Sequence, residues 1–93
     1  MFEIRSEAGT IFLKGRLDAS QIKKADQAFE TLGEADTLDL AGLEYISSAG
    51  IAVILKAHKT VADLGGSLKL VNLSNRVRTV FHYAGLDAIL NIE

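Results

Sequence analysis

The chain has 93 residues, 48% hydrophobic and 24% charged, with ten Lys and Arg against twelve Asp and Glu for a net charge of −2. One domain is expected, because a chain this long buries roughly 60–65% of its unfolded surface and is too apolar to be disordered. The absence of cysteine excludes disulfides, thiolate catalysis and cysteine-bound zinc, and the acidic balance argues against nucleic acid as a partner.

The opening reads as a hairpin. Phe2 and Ile4 alternate with Glu3 and Arg5, Ser6-Glu7-Ala8-Gly9 forms a turn, and Ile11, Leu13 and Leu17 follow on one face opposite Thr10, Lys14 and Arg16. Phe12 falls on the wetter side, where an apolar cross-strand neighbour is expected. A first helix starts near Asp18 or Ser20, either of which can cap it. Ile22, Ala25, Phe29 and Leu32 make its stripe and Gly33 its stop.

A short strand, Thr37-Leu38-Asp39-Leu40, is followed by a loop from Ala41 to Ser47. The second helix begins near Ser48 with a stripe of Ile51, Ile54, Leu55, His58, Val61 and Leu64, and Gly65-Gly66 ends it. Ser67 to Val71 is another alternating strand. Ser74 caps a third helix with Val77, Val80, Phe81 and Ala84 inward, which Gly85 stops. Ile89, Leu90 and Ile92 form an apolar tail that pattern alone leaves open between helix and strand.

The order is ββαβαβα plus a tail. Two βαβ crossovers make the central strands parallel, yet the strands alternate instead of running apolar throughout. The expected fold is therefore α/β: a single mixed sheet of four or five strands with helices mainly on one face. No apolar run approaches the roughly 18 residues of a membrane span. The start lacks the basic and apolar regions of a signal peptide, so the cytoplasm is the expected address.

The stretch from Leu38 to Ala52 runs from the end of a parallel strand to a helix N-terminus, the edge where open α/β sheets usually place ligands. Ser48 lies at or next to the cap, and Ser47 is the alternative cap. Ala49, Gly50 and Ala52 are small and leave the hydroxyl open to an incoming surface. Gly50 costs up to about 1 kcal/mol relative to alanine in a helix interior, a choice a purely structural helix gains nothing from. A phosphate on Ser48 would add about −1.5 to −2 charge beside free first-turn N–H groups, which the helix dipole favours.

These residues resemble the STAS domain, the sulphate-transporter and anti-sigma-factor-antagonist family, over nearly the whole chain. Leu38-Asp39-Leu40 matches its aliphatic-Asp-aliphatic strand, Tyr45-Ile46 its loop end, and Ser48-Ala49-Gly50-Ile51 the last four positions of its Asp-Ser-Ser/Thr/Ala-Gly-aliphatic motif. Gly15 to Asp18 and Ser67 to Leu73 resemble its second and fourth strands. The resemblance implies that Ser48 is a phosphoacceptor, that Asp18 and Asp39 lie near it, and that Asp18, Asp39, Ser47, Ala49, Gly50 and Ala52 face a partner. It implies partner switching: the antagonist binds an anti-sigma factor serine kinase, is released on phosphorylation, and is reset by a serine phosphatase. One departure is that the usual aspartate is Ser47 here, which removes a negative charge beside Ser48. The free chain is expected to be a monomer that neither enters a membrane nor needs a cofactor.

Other readings are weaker. A STAS-type subunit docking on the ATPase of an ABC lipid transporter, or a module of another signalling complex, would use the same helix end without obligatory phosphorylation. An enzyme would need a base for Ser48. His58, ten residues along the same helix, lies about 15 Å away at 1.5 Å per residue, and no Gly-x-Ser-x-Gly elbow exists. No phosphate-binding glycine motif and no metal-ligand cluster is present in the sequence.

Overall fold

The computed structural model describes residues 1–30 and 37–93. Leu32 and Gly33, expected at the end of the first helix, lie outside the described residues. The elements are β1 (Phe2–Glu7), β2 (Thr10–Leu17), α1 (Ile22–Phe29), β3 (Thr37–Ile46), α2 (Ser48–Asp63), β4 (Lys69–Val71), α3 (Asn75–Tyr83) and β5 (Asn91–Ile92). Two short 3-10 turns precede α1 (Ala19–Gln21) and β5 (Leu86–Ala88).

The strands form one five-stranded sheet in the order β1-β2-β3-β4-β5, with β1 antiparallel to β2 and the rest parallel. Every crossover moves in the same direction, so right-handed connections place the three helices on one face. Burial follows this layout. Ile11, Leu13, Leu38, Leu40 and Leu70 are buried under the helices, whereas Lys14, Arg16 and Lys69 on the open face are exposed. This is the mixed sheet with one-sided helices that the alternating strands imply. The tail resolves as a strand: Asn91 and Ile92 pair with Lys69 and Leu70, and the Glu93 N–H donates to Leu70 C=O at 2.9 Å.

The hairpin is tighter than its sequence suggests. β1 continues through Glu7, and only Ala8 (φ 50°) and Gly9 (φ 84°) turn the chain. Two positive φ values in a two-residue loop are the type I′ pattern. The residues registered with Phe12 across the strands are polar, Arg5 on β1 and Asp39 on β3. The Arg5 guanidinium lies 4.3 Å from the Phe12 ring centroid.

β3 corrects the expectation of a four-residue strand followed by a loop. It runs ten residues, to Ile46, because its second half stays paired with β2 through two register shifts: Phe12↔Asp39 becomes Lys14↔Gly42, and Gly15↔Leu43 becomes Arg16↔Tyr45. Each bulge breaks the period of two, so Leu43 and Ile46 are buried while Ala41, Gly42, Glu44 and Tyr45 are exposed. Asp39 sustains the first shift, since its Oδ1 accepts the Ala41 N–H at 2.9 Å.

The α2 stripe is also revised. Gly50, Val53, Ile54, Ala57 and Val61 are buried, Ile51, Leu55 and His58 are half-buried, and Leu64 is 67% exposed at the C-cap. The helix packs on α1 as well as on the sheet, which turns Val53 and Ala57 inward. At the end of α3, Ala84 is exposed, and Gly85, at φ 73°, opens the last 3-10 turn. That turn drops Leu86 and Leu90 into the core instead.

Candidate functional site

β2 and β3 end side by side, with Leu17 opposite Ile46. The Ser47 N–H donates to Leu17 C=O at 2.9 Å, which carries the pairing one residue past β3 and fixes where α2 begins. Ser47 is the N-cap. Its backbone is extended (φ −92°, ψ 173°), its Oγ accepts the Gly50 N–H at 3.2 Å, and its C=O accepts the Ile51 N–H at 2.9 Å. Ser48 is thus the first residue of the helix. Its side chain is exposed and makes no hydrogen bond to a described residue. The backbone N–H groups of Ser48 and Ala49 sit in the first turn, where no intrahelical acceptor exists.

Gly50 does not face outward. It is buried, and a Cβ there would lie 2.8 Å from Leu17 O, 2.9 Å from Ile46 Cγ1 and 2.9 Å from Leu17 Cγ. Its small size lets α2 sit against the ends of β2 and β3, so its effect on a partner is indirect. Ala49 is half-buried and Ala52 exposed, one turn along from Ser48.

Asp18 leaves β2 at this same edge. Its Oδ1 accepts the Ser20 N–H at 3.0 Å and the Ser20 hydroxyl at 2.6 Å, capping the 3-10 turn before α1. The Ser20 hydroxyl bond, aided by the Ser20 N–H and by the Arg16 charge, holds the Asp18 carboxyl below the usual carboxylate range. Asp18 is therefore ionised at neutral pH, a fixed negative charge on the edge that carries Ser48.

Asp39 is not there. It is registered with Phe12, five residues before Leu17 on β2, or about 17 Å along the strand. Its Oδ2 accepts Asn72 Nδ2 at 2.9 Å, tying the bulge of β3 to the residue after β4. The expectation that Asp39 lies near Ser48 fails because the bulged second half of β3 separates them. What pattern reading missed at this edge is the Leu17 carbonyl, the anchor of the junction. The only hint was that Leu17 and Ile46 both close apolar runs.

Neither histidine of the chain lies beside Ser48. His58 lies more than two turns further along α2. The His82–Asp87 pair, at 2.8 Å, belongs to the far end of α3. Among the described residues no group of three or more His, Cys, Asp or Glu could hold a metal ion, and no helix is long and apolar enough to cross a membrane.

The family model described as "Mlab, STAS domain" matches residues 1–91, and the chain belongs to the STAS-domain family. It is 31% identical over 87 residues to the anti-sigma-B factor antagonist of Listeria monocytogenes, an alignment covering 89% of this chain and 76% of that one. It is 42% identical over 54 residues to the anti-sigma-B factor antagonist of Bacillus subtilis, covering 58% and 50%. Among solved structures, an anti-sigma factor antagonist from Mycobacterium paratuberculosis superposes with a TM-score of 0.79 at 17% identity, covering 99% of this chain and 83% of that one. The Bacillus cell fate determinant SpoIIAA in its phosphorylated form superposes with a TM-score of 0.68 at 21% identity, covering 100% and 91%. At these identities the superpositions establish a shared fold.

Proposed function

We propose that the chain is an anti-sigma factor antagonist that works by partner switching. It binds an anti-sigma factor serine kinase through the start of α2, and phosphorylation of Ser48 releases it. The observation that carries this reading is the division of labour between two serines. Ser47 caps the helix, which leaves the Ser48 hydroxyl exposed and uncommitted beside unpaired first-turn N–H groups. In the transfer, the γ-phosphoryl group of ATP passes to Ser48 Oγ, the hydroxyl loses its proton and ADP departs. The new dianion sits at the favourable end of the helix dipole, so the fold tolerates it, while a partner seated on Ala49 and Ala52 meets added bulk and charge. The Asp18 carboxylate adds to that negative field. A serine phosphatase resets the switch, and the cytoplasm is the compartment this role requires.

The names of the Listeria and Bacillus relatives support the antagonist role, and the phosphorylated form of SpoIIAA supports a phosphoprotein. The test is incubation with the cognate anti-sigma kinase and ATP, followed by mass spectrometry and a binding assay. Phosphate is expected on Ser48; Ser48→Ala should bind and resist release by ATP, and Ser48→Asp should bind at least about tenfold more weakly with its fold intact. Phosphate on Ser47 or Thr60, or on no residue, overturns the assignment. A second reading, docking on the ATPase of an ABC-type lipid transporter, is favoured by Ser47 in place of the usual aspartate. It expects binding to that ATPase with Ser48 never modified.

A further inference from the structure

The outer edge of β1 is unpaired by any described strand. In the β1–β2 hairpin the Arg16 N–H donates to Met1 C=O at 2.8 Å, so pairing alternates and residues 1, 3, 5 and 7 turn their backbone groups toward β2. The backbone groups of Phe2, Ile4 and Ser6 therefore point away from the sheet. Phe2 C=O accepts Lys24 Nζ at 2.9 Å and keeps a second lone pair, whereas the N–H and C=O of Ile4 and Ser6 meet no described partner. Such an edge is a template for another strand. A shallow groove lined by Ile4, Ser6, Ile11 and Ala28 runs beside it, with the small Ala28 side chain on the α1 flank.

We infer that this edge takes a second copy of the same chain, its β1 antiparallel to the first about a two-fold axis through Ile4, making one continuous sheet. Charge complementarity and the length of strand that can pair together choose the occupant and the register. Glu3 and Arg5 share the open face of β1 and are exposed. In a two-fold centred on Ile4, Glu3 of each copy lies directly opposite Arg5 of the other, at a pair without backbone hydrogen bonds, where side chains approach most closely. Centring the axis on Glu3 opposes two carboxylates, and centring it on Arg5 opposes two guanidinium groups. Centring it on Ser6 also opposes Arg5 to Glu7, but the outward groups of Ile4 then fall opposite Ala8 in the turn and those of Phe2 run past the end of the strand. The Ile4 register joins unlike charges and also lets the outward N–H and C=O groups of Ile4, and those of Phe2 with Ser6, meet one another. An isologous contact requires this self-complementarity. The half-buried Ile4 side chains then cover each other on the helix side. The chain is thus a dimer at high concentration, and the expected monomer is its dilute form.

The test is sedimentation velocity of the full chain over a concentration series at low and high salt. The wild type should show a mass doubling that weakens with salt. Glu3→Arg, which sets like charges across the axis, should raise the dissociation constant at least about tenfold, and the double variant Glu3→Arg/Arg5→Glu should restore the dimer. Thermal melts confirm that each variant is folded. Arg5 also stacks on Phe12 and pairs with Glu7 at 3.0 Å, so if the double variant fails to fold, Ser6→Pro decides. It removes an outward N–H that β2 does not use and should give a monomer. A wild type monomeric at every concentration, including one whose edge binds only a different protein, overturns the inference. So does a Glu3→Arg or Ser6→Pro variant that dimerises like the wild type, or a folded double variant that stays monomeric.

Discussion

At the scale of single residues, the cap and the candidate acceptor are adjacent serines with opposite burdens. Ser47 satisfies the Gly50 N–H, so Ser47→Ala strips α2 of its cap and should cost about 0.5–2 kcal/mol. Ser48 makes no such bond, and alanine is the better helix former, so Ser48→Ala should leave stability unchanged or slightly raised. Denaturant unfolding of the two variants measures the contrast; equal losses would mean the two serines share the cap. Ser47→Asp keeps a capping oxygen and should be close to neutral. An aspartate, the usual family residue, and a serine thus do the same structural work here. What changes is the charge beside Ser48.

At the scale of elements, Gly50 decides how closely α2 approaches the sheet. Alanine in its place would gain up to about 1 kcal/mol of helix propensity. It would also press a methyl group on the Leu17 carbonyl and on the Leu17 and Ile46 side chains, an overpacking that costs about 1–3 kcal/mol. Because one of the opposing atoms is backbone, we expect Gly50→Ala to lose about 1–2 kcal/mol net and the thermal midpoint to fall by about 4–16 °C. A variant more stable than wild type would mean that α2 slides without resistance. Composition alone could not reveal this: a glycine in a first turn reads as a locally poor choice, and its cause is a contact with a strand more than thirty residues away. The same limit explains the other revisions. Amphipathic stripes disclosed the helices and alternation disclosed the strands; Ser74 caps α3 as expected, whereas Asp18 caps the 3-10 turn before α1 and the N-cap of α1 itself, Gln21, makes no side-chain bond. The second half of β3 was hidden because its bulges destroy the period of two. Asp39 was displaced from Ser48 for the same reason. Val53 and Ala57 were overlooked because the α1 side of α2 is a tertiary fact. The two-residue strand β5 is too short to leave any period.

At the scale of the whole molecule, sequential strand order gathers the starts of the 3-10 turn before α1, of α2 and of α3 at one edge of the sheet, where the parallel strands end. Among the described residues no polar or charged residue is buried as a whole, and His58 Nδ1 is the one buried side-chain polar atom without a hydrogen-bond partner, so the sheet and its helices form a largely apolar frame with most of the polar chemistry on its rim. A change on that rim should be read by a partner and ignored by the core. Ala52 tests this separation. It is exposed, one turn from Ser48 on the outer side of α2, so an arginine there points into solvent and strains nothing. Surface substitutions of this kind fall within about 0.5 kcal/mol, and arginine is a good helix former. The thermal midpoint of Ala52→Arg should therefore stay within about 2–4 °C of wild type. If the partner seats its backbone against Ala49 and Ala52, the added side chain cannot be accommodated, and affinity for the proposed anti-sigma factor partner should fall at least about a hundredfold, or ~2.7 kcal/mol. Calorimetric titration and a thermal melt on the same sample measure both halves. Loss of binding together with loss of stability would make Ala52 part of the frame, and binding unchanged from wild type would move the partner surface away from α2.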